Sequence, residues 1–318
     1  MLEEGCVAMV NSGKEQSVLA LGELLWDILP SEKLLGGAPA NFCFRLQQLG
    51  IPARMVSRVG SDRLGDELLF ELEARSFDLS LVQRDPIVPT GTVDVVLTAE
   101  GNPSFTINTN VAYDHLEVSA ELLVAAKKSS LICFGTLVQR SVQTREAVYT
   151  VLDEAMSATK FLDINLRKDC YSAETISASL KRADILKLNQ SEVKVVDHLL
   201  GLNTYTTRDM ANSIMRNFAV KLVLVTLGEE GAYAVSCDGE EVSVPGMPVD
   251  VIDTIGSGDS FSAGFVYSFL SGKPLAECCR FGNIMGAMNA MRKGGMPDIN
   301  SGEIAEFISS REYNSLAI

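Results

Sequence analysis

Between residues 131 and 226 the chain repeats one pattern, a short apolar run followed by a stretch with helical spacing. Strands are expected at Leu131 to Phe134, Lys160 to Ile164, Ile185 to Leu188 and Lys221 to Thr226. A helix ending near Met156 and another over Ala173 to Lys181 separate the first three. Parallel neighbours need long crossovers, so this alternation predicts a mostly parallel sheet covered by helices on both faces. The same rhythm starts earlier. Val18 to Gly22 and Ala53 to Val59 read as strands, and Leu64 to Arg75 as a helix with Leu64, Leu68, Leu69 and Leu72 on one face.

Two hairpins break the rhythm. Leu227 to Gly231 turns the chain from Lys221–Thr226 back into Ala232 to Ser236, and Glu241 to Val244 adds another strand, so the sheet should finish antiparallel. Thr92 to Leu97 and Ser104 to Asn108 flank turn residues Ala99 to Pro103; this pair reads as a lid or as an extra edge. Later, Cys278 to Met291 and Glu303 to Ser310 read as helices, the first with Gly282, Gly286 and Ala290 spaced by four for close packing.

Composition narrows the partners. At 318 residues the chain fits one large α/β domain or two smaller ones. A net charge of −14 argues against nucleic acid or an anionic membrane, since both need a basic surface to release counterions. A small ligand is expected. Seven cysteines without framework spacing suit a reducing compartment and read mostly as buried small hydrophobes. Residues 1–16 lack a basic start and an apolar core, and no run approaches a membrane span, so a cytoplasmic chain with a short, disordered N-terminal tail is expected.

The densest functional signal is Asp253-Thr254-Ile255-Gly256-Ser257-Gly258-Asp259, which opens directly into a helix with Phe261, Phe265 and Phe269 on one face. A helix start has free N–H groups and a partial positive charge, and flanking glycines let an anion reach them. Asp259 at the mouth fits two roles, an N-terminal cap or a proton acceptor.

Other polar groups fall near strand ends, where open α/β sheets hold ligands. Asp27 follows the first strand, and reads either as a ligand contact or as a turn residue before Pro30. Gly36-Gly37-Ala38-Pro39-Ala40-Asn41 precedes a helix that stops at Gly50, with Asn41 able to donate to and accept from a hydroxyl. Asp163-Ile164-Asn165-Leu166-Arg167 offers an Arg for phosphate or carboxylate, and Asn189-Gln190-Ser191-Glu192 suits a hydrated Mg²⁺ or a helix cap.

Elimination helps. There is no G-x-x-x-x-G-K-[ST] and no G-x-G-x-x-G at a strand-to-helix turn, and the two histidines, His115 and His198, have no spaced partners. Phosphoryl transfer to a hydroxyl remains: it needs neutralised phosphates, Mg²⁺ and one carboxylate to take the alcohol proton.

Taken together, Gly36 to Asn41 and Asp253 to Asp259 resemble the two signatures of the ribokinase-like (PfkB) sugar kinases, over about Ser17 to Ile308. Gly-Gly-Ala-Pro-Ala-Asn, the early Gly22-Glu23 with Asp27, and Asp163-x-Asn165-x-Arg167 are most similar to fructokinases. The resemblance implies a three-layer α/β/α sandwich over residues 17–310 with a small β lid near residues 88–112. It implies ATP-dependent phosphorylation of a sugar hydroxymethyl group, with fructose first and 2-keto-3-deoxygluconate as the alternative; a non-catalytic nucleotide or sugar sensor is the reading from another class. Asp259 matches the base, and the N–H groups of Gly256, Ser257 and Gly258 match the anion hole. Asp27, Gly36, Gly37 and Asn41 match sugar-binding positions, with Arg167 as a further sugar or phosphate contact. Asn189 and Glu192 match an element acting on Mg²⁺ through water, Thr226 and Gly228 a nucleotide-binding turn, and Asn283 the adenine pocket. Backbone carbonyls of Asp253 and Ile255 are the implied ligands of a monovalent cation, K⁺, and the family admits a homodimer. Ile255 and Ser257 depart from the usual Thr and Ala. Only a short segment joins Asp27 to Gly36, which implies a reduced lid, with the 92–108 hairpin left to cover the sugar nearly alone.

Overall fold

The computed structural model describes residues 16–97 and 103–315. The expected 1–16 tail therefore lies outside the described residues except for Gln16, whose Nε2 donates to the Leu270 carbonyl at 2.7 Å. In chain order the strands are β1 (Val18–Leu21), β2 (Leu25–Ile28), β3 (Lys33–Gly36), β4 (Ala53–Gly60), β5 (Val82–Asp85), β6 (Gly91–Leu97), β7 (Pro103–Ile107), β8 (Leu131–Phe134), β9 (Thr159–Asp163), β10 (Ile185–Asn189), β11 (Leu222–Thr226), β12 (Ala232–Ser236) and β13 (Glu241–Val244). The helices are α1 (Ala38–Gln48), α2 (Arg63–Ala74), α3 (Ala120–Lys128), α4 (Val142–Glu154), α5 (Ala173–Leu180), α6 (Gln190–Leu200), α7 (Thr207–Phe218), α8 (Ser257–Leu270), α9 (Leu275–Ala290) and α10 (Ser301–Ser315).

Nine strands form the main sheet in the order β13-β12-β11-β10-β9-β8-β1-β4-β5. Pairing is parallel from β5 to β11 and antiparallel across β11, β12 and β13, as the turn at Leu227–Gly231 required. The central strands Val18–Leu21 and Leu131–Phe134 are buried along their whole length, because helices cover both faces. Two apolar clusters lie on opposite faces. Leu19, Leu21, Ile132, Leu186 and Val223 belong to one, and Val18, Ala20, Leu131, Cys133, Ile185 and Leu224 to the other, so strand alternation divides the core.

The helix pair α8–α9 closes the second face. Phe261, Phe265 and Phe269 stack along α8 with ring centroids 6.5 and 6.0 Å apart, and Phe265 lies 6.3 Å from Phe161 of β9. The small stripe on α9 does pack: a Cβ on Gly282 would meet Phe261 at 2.8 Å, and one on Gly286 would meet the Ser257 carbonyl at 3.1 Å. Five cysteines, Cys43, Cys133, Cys170, Cys278 and Cys279, are buried free thiols.

Two readings of the sequence need revision. Helices α3 and α7 were not anticipated. The lid is also larger than the 92–108 hairpin: a second sheet has four strands in the order β3-β2-β6-β7. Asp27 therefore sits inside a strand rather than in a turn, opposite Leu34 of β3 and Val93 of β6. The loop is short because a tight turn, Leu29 N–H to the Glu32 carbonyl at 2.8 Å, suffices to reverse four-residue strands. Its tip is tied to the α9–α10 connection by an ion pair between Glu32 and Lys293.

Candidate active site

The stretch expected to hold an anion forms as its glycines demand. Gly256 caps α8 at φ 74°, and a Cβ there would lie 2.6 Å from Gly295 Cα, so both conformation and space exclude a side chain. Ser257, Gly258 and Asp259 occupy the first turn of a 14-residue helix. The Ser257 N–H turns back to the Thr254 carbonyl at 3.2 Å, while the N–H groups of Gly258 and Asp259 are left as the free donors of a helix start, and no side chain caps them.

Asp259 has a specific partner. Asn41 Nδ2, near the start of α1, donates to Asp259 Oδ2 at 2.8 Å, while the buried Asn41 Oδ1 has no protein partner. Burial pushes the Asp259 carboxyl up to about 6, and the nearby Asp163 adds to this; the Asn41 hydrogen bond, Lys187 and Arg167 pull the other way. A carboxylate poised there is a competent base near neutral pH.

The glycine pair ahead of α1 permits close approach. A Cβ on Gly36 would lie 2.5 Å from Asp27 Oδ2, and one on Gly37, at φ 111°, would lie 2.3 Å from the Glu23 carbonyl. Asp27 is raised to about 6 by burial, opposed by Arg167 and reinforced by Asp253. Arg167 is exposed, and its charge favours the ionised forms of Glu23, Asp27 and Asp259.

Behind the helix start lies a buried ion pair. Lys187 and Asp163 are register partners on β10 and β9, with Nζ 3.1 Å from both carboxylate oxygens. Ser262 Oγ of α8 donates to Asp163 at 2.8 Å. Burial works against the Lys187 charge, but Asp163, Glu192 and Asp259 outweigh it and raise its pKa. A Cβ on Gly258 would come within 3.2 Å of Lys187 Nζ, so this ammonium lies directly beneath the first turn of α8. The signal was a lysine inside an otherwise apolar strand, which needs a buried partner. Glu23, almost fully buried, was named in sequence but not given a role. It accepts from the Ala38 N–H at 3.2 Å, and burial pushes it up to about 7.

Asn189 and Glu192 form the capping box that was one of their two readings. Asn189 Oδ1 accepts from the N–H groups of Ser191 and Glu192, at 2.9 and 3.0 Å. The two Glu192 oxygens accept from the Asn189 and Leu166 N–H groups, at 2.7 and 2.8 Å. Both oxygens are thus engaged, and Glu192 fits a water-mediated role toward a divalent ion rather than direct chelation. Thr226 pairs with Asn189 across β10 and β11, and Gly228 follows at φ 61° with open space where a Cβ would be. Asn283, the remaining nucleotide candidate, lies on α9. Its Nδ2 is tied to the carbonyls of Val244 and Pro245 at 3.2 and 3.0 Å, where it fixes the chain leaving β13.

The turn that carries the implied cation ligands, the backbone carbonyls of Asp253 and Ile255, is held by side chains. Asp253 uses its side chain to hold the turn, accepting from the N–H groups of Ile255 and Gly294. The Ile255 carbonyl already accepts from Asn289 Nδ2 at 2.8 Å. Among the described residues no group of three or more His, Cys, Asp and Glu side chains is placed to hold a metal, and no helix is long and apolar enough to cross a membrane.

The chain matches the model of the pfkB family of carbohydrate kinases over residues 30–301. It is 30% identical to rice (Oryza sativa subsp. japonica) Fructokinase-1, over 91% of this chain and 96% of that protein. Among solved structures, an uncharacterized sugar kinase of Pyrococcus horikoshii in complex with ATP is 26% identical, with a TM-score of 0.79 over 93% of this chain and 99% of that one. A double-mutant fructokinase of Vibrio cholerae O395, with fructose, ADP and potassium ion bound, is 22% identical and shares the fold at a TM-score of 0.80 over 93% and 99%. The family model spans most of this ribokinase-like α/β chain, and the protein belongs to the pfkB family of carbohydrate kinases.

Proposed function

We propose that the enzyme transfers a phosphoryl group from ATP to a hydroxymethyl group of a small sugar, fructose first, with Asp259 as the general base. The observation that carries this is the Asp259 carboxylate, held at 2.8 Å by Asn41 on an uncapped helix start and raised to about 6. A sugar hydroxyl beside Asn41 has a proton acceptor within reach, and the free Asn41 Oδ1 can take a second hydroxyl. Asp27, set in the lid sheet, closes the sugar from above. The N–H groups of Gly256, Ser257 and Gly258, with Lys187 beneath them, hold the charge that develops on the phosphoryl oxygens. Bound ATP, with Mg²⁺, would supply the phosphoryl group; Thr226, Gly228 and Asn283 are the candidates to seat the nucleotide, and Glu192 to orient a metal-bound water.

Fructose is supported by the fructokinase relative and by the fructose-bound neighbour. A second reading, a sugar acid such as 2-keto-3-deoxygluconate, is favoured by the exposed Arg167, whose positive charge acts on Asp27 and Asp259. The two separate in a panel of sugars assayed for ADP release with Mg-ATP. Fructose should be the better substrate of wild type, and Arg167→Ala should change its KM by less than about threefold. If the acid is the substrate, the same variant should raise its KM far more, since a charge-assisted contact is worth about 1.5–3 kcal/mol. ATP and sugar binding by calorimetry with no turnover of any sugar would instead mark a sensor.

The base assignment also fixes a pH dependence. An acid raised to about 6 is ionised above that pH, so kcat/KM should rise through pH 6, level off above it, and fall about tenfold per unit below. The Asn41 hydrogen bond favours the carboxylate, so Asn41→Ala should move this acid limb to higher pH. A limb that stays in place would show that another group controls it.

A further inference from the structure

The turn carrying the anion hole is pinned from behind by one buried side chain. Asn289 of α9 donates Nδ2 to the Ile255 carbonyl at 2.8 Å and reaches the Gly294 carbonyl at 3.5 Å. Its Oδ1 accepts from Ser260 Oγ, the residue after Asp259, at 2.9 Å. The same oxygen lies 3.4 Å from Arg45 Nη2.

Arg45 is unusual in its own right. It is a fully buried guanidinium on α1, one turn after Asn41. Its hydrogen-bond partners are all neutral: the Pro297 carbonyl at 2.8 Å, Gln48, Asn289 and Ser260. Burial lowers its pKa to about 10, which leaves it charged at neutral pH.

A guanidinium donating to Asn289 Oδ1 polarises that amide, and its Nδ2 end then points a positive dipole at the carbonyls of Ile255 and Gly294. Convergent carbonyls repel each other unless something positive lies between them. We infer that Asn289, backed by Arg45, is a positioning residue that holds the anion-hole turn in the place of a monovalent cation, so that the enzyme needs no K⁺. The inference rests on Gly256 to Gly258 being the anion hole.

The test compares KCl with choline chloride at equal ionic strength, by melting followed through Trp26, the one tryptophan, and by fructose-dependent ADP release. Wild type should melt at the same temperature in both salts, with rates within about twofold. Asn289→Asp keeps the acceptor for Ser260 and Arg45 but turns a carboxylate toward the two carbonyls. KCl should raise its melting temperature by about 2–4 °C. In choline its kcat should fall about tenfold and recover in part with KCl, with sugar KM within about twofold. Should that variant not fold, Arg45→Met conserves volume and should show the same K⁺ response in smaller measure. The inference is overturned if K⁺ raises the wild-type rate about fivefold or more, if it raises the wild-type melting temperature, or if the variants match wild type in both salts. The melting comparison needs no substrate, so it remains decisive even if no sugar is turned over.

Discussion

Asp259→Asn is expected to lower kcat for sugar phosphorylation by about 10²- to 10⁴-fold, the range typical of losing a general base. The substitution is nearly isosteric, and its amide oxygen still accepts from Asn41 Nδ2. Stability should change little. The wild-type carboxylate gains from the helix dipole but is opposed by burial and by Asp163, and these contributions partly cancel. Sugar KM should therefore move much less than kcat, the signature of an interaction made in the transition state. An N-terminal cap would behave in the opposite way, with about 1 kcal/mol of stability lost and the rate kept. Steady-state kinetics with a thermal melt on the same samples separates the two.

Lys187→Met should cost about 3–5 kcal/mol of stability, the scale for breaking a buried ion pair by removing one partner. Asp163 would be left buried with Ser262 as its hydroxyl donor. Adding Asp163→Asn should recover part of that loss, because the orphaned charge goes with it. The rate should not recover with stability. Lys187 Nζ lies under Gly258, so the positive charge beneath the proposed anion hole is missing in both variants. Urea denaturation and kcat measured on the single and double variants decide the point; a double variant with wild-type rate would confine Lys187 to a structural role.

The sheet was legible because its strands are short apolar runs bounded by turns and separated by helical periods, and physical burial on both faces leaves that trace. The hairpin pairing of β11 with β12 followed from Gly228 and Gly231, both at positive φ. Helix α7 was legible in principle: Thr206 caps it, and Met210, Ala211 and Ile214 make its buried face. Strands β2 and β3 were harder. Each has four residues, and β2 also pairs with β6, far along the chain, through contacts that no local pattern encodes.

The site divides in the same way. Gly36, Gly37 and Gly256 were readable because close backbone approach excludes a Cβ, and Asp259 because a carboxylate at an anion-binding helix start needs a reason. Arg45 was not, since a helical pattern does not distinguish an arginine that snorkels to water from one buried between helices. Asn289 was hidden within an apolar helix whose polar contacts run to the Ile255 turn and to α8. Lys187 stood in plain view inside β10, and only its pairing with Asp163 across the sheet gives it meaning.

The most direct test of the central claim is to identify the product. Wild-type enzyme with Mg-ATP and fructose, followed by phosphorus NMR, should give ADP and one new phosphomonoester in equal amounts. The new signal should couple to two protons, as a phosphate on a hydroxymethyl carbon must. ADP formed without any sugar ester, across fructose and the rest of the sugar panel, would contradict it.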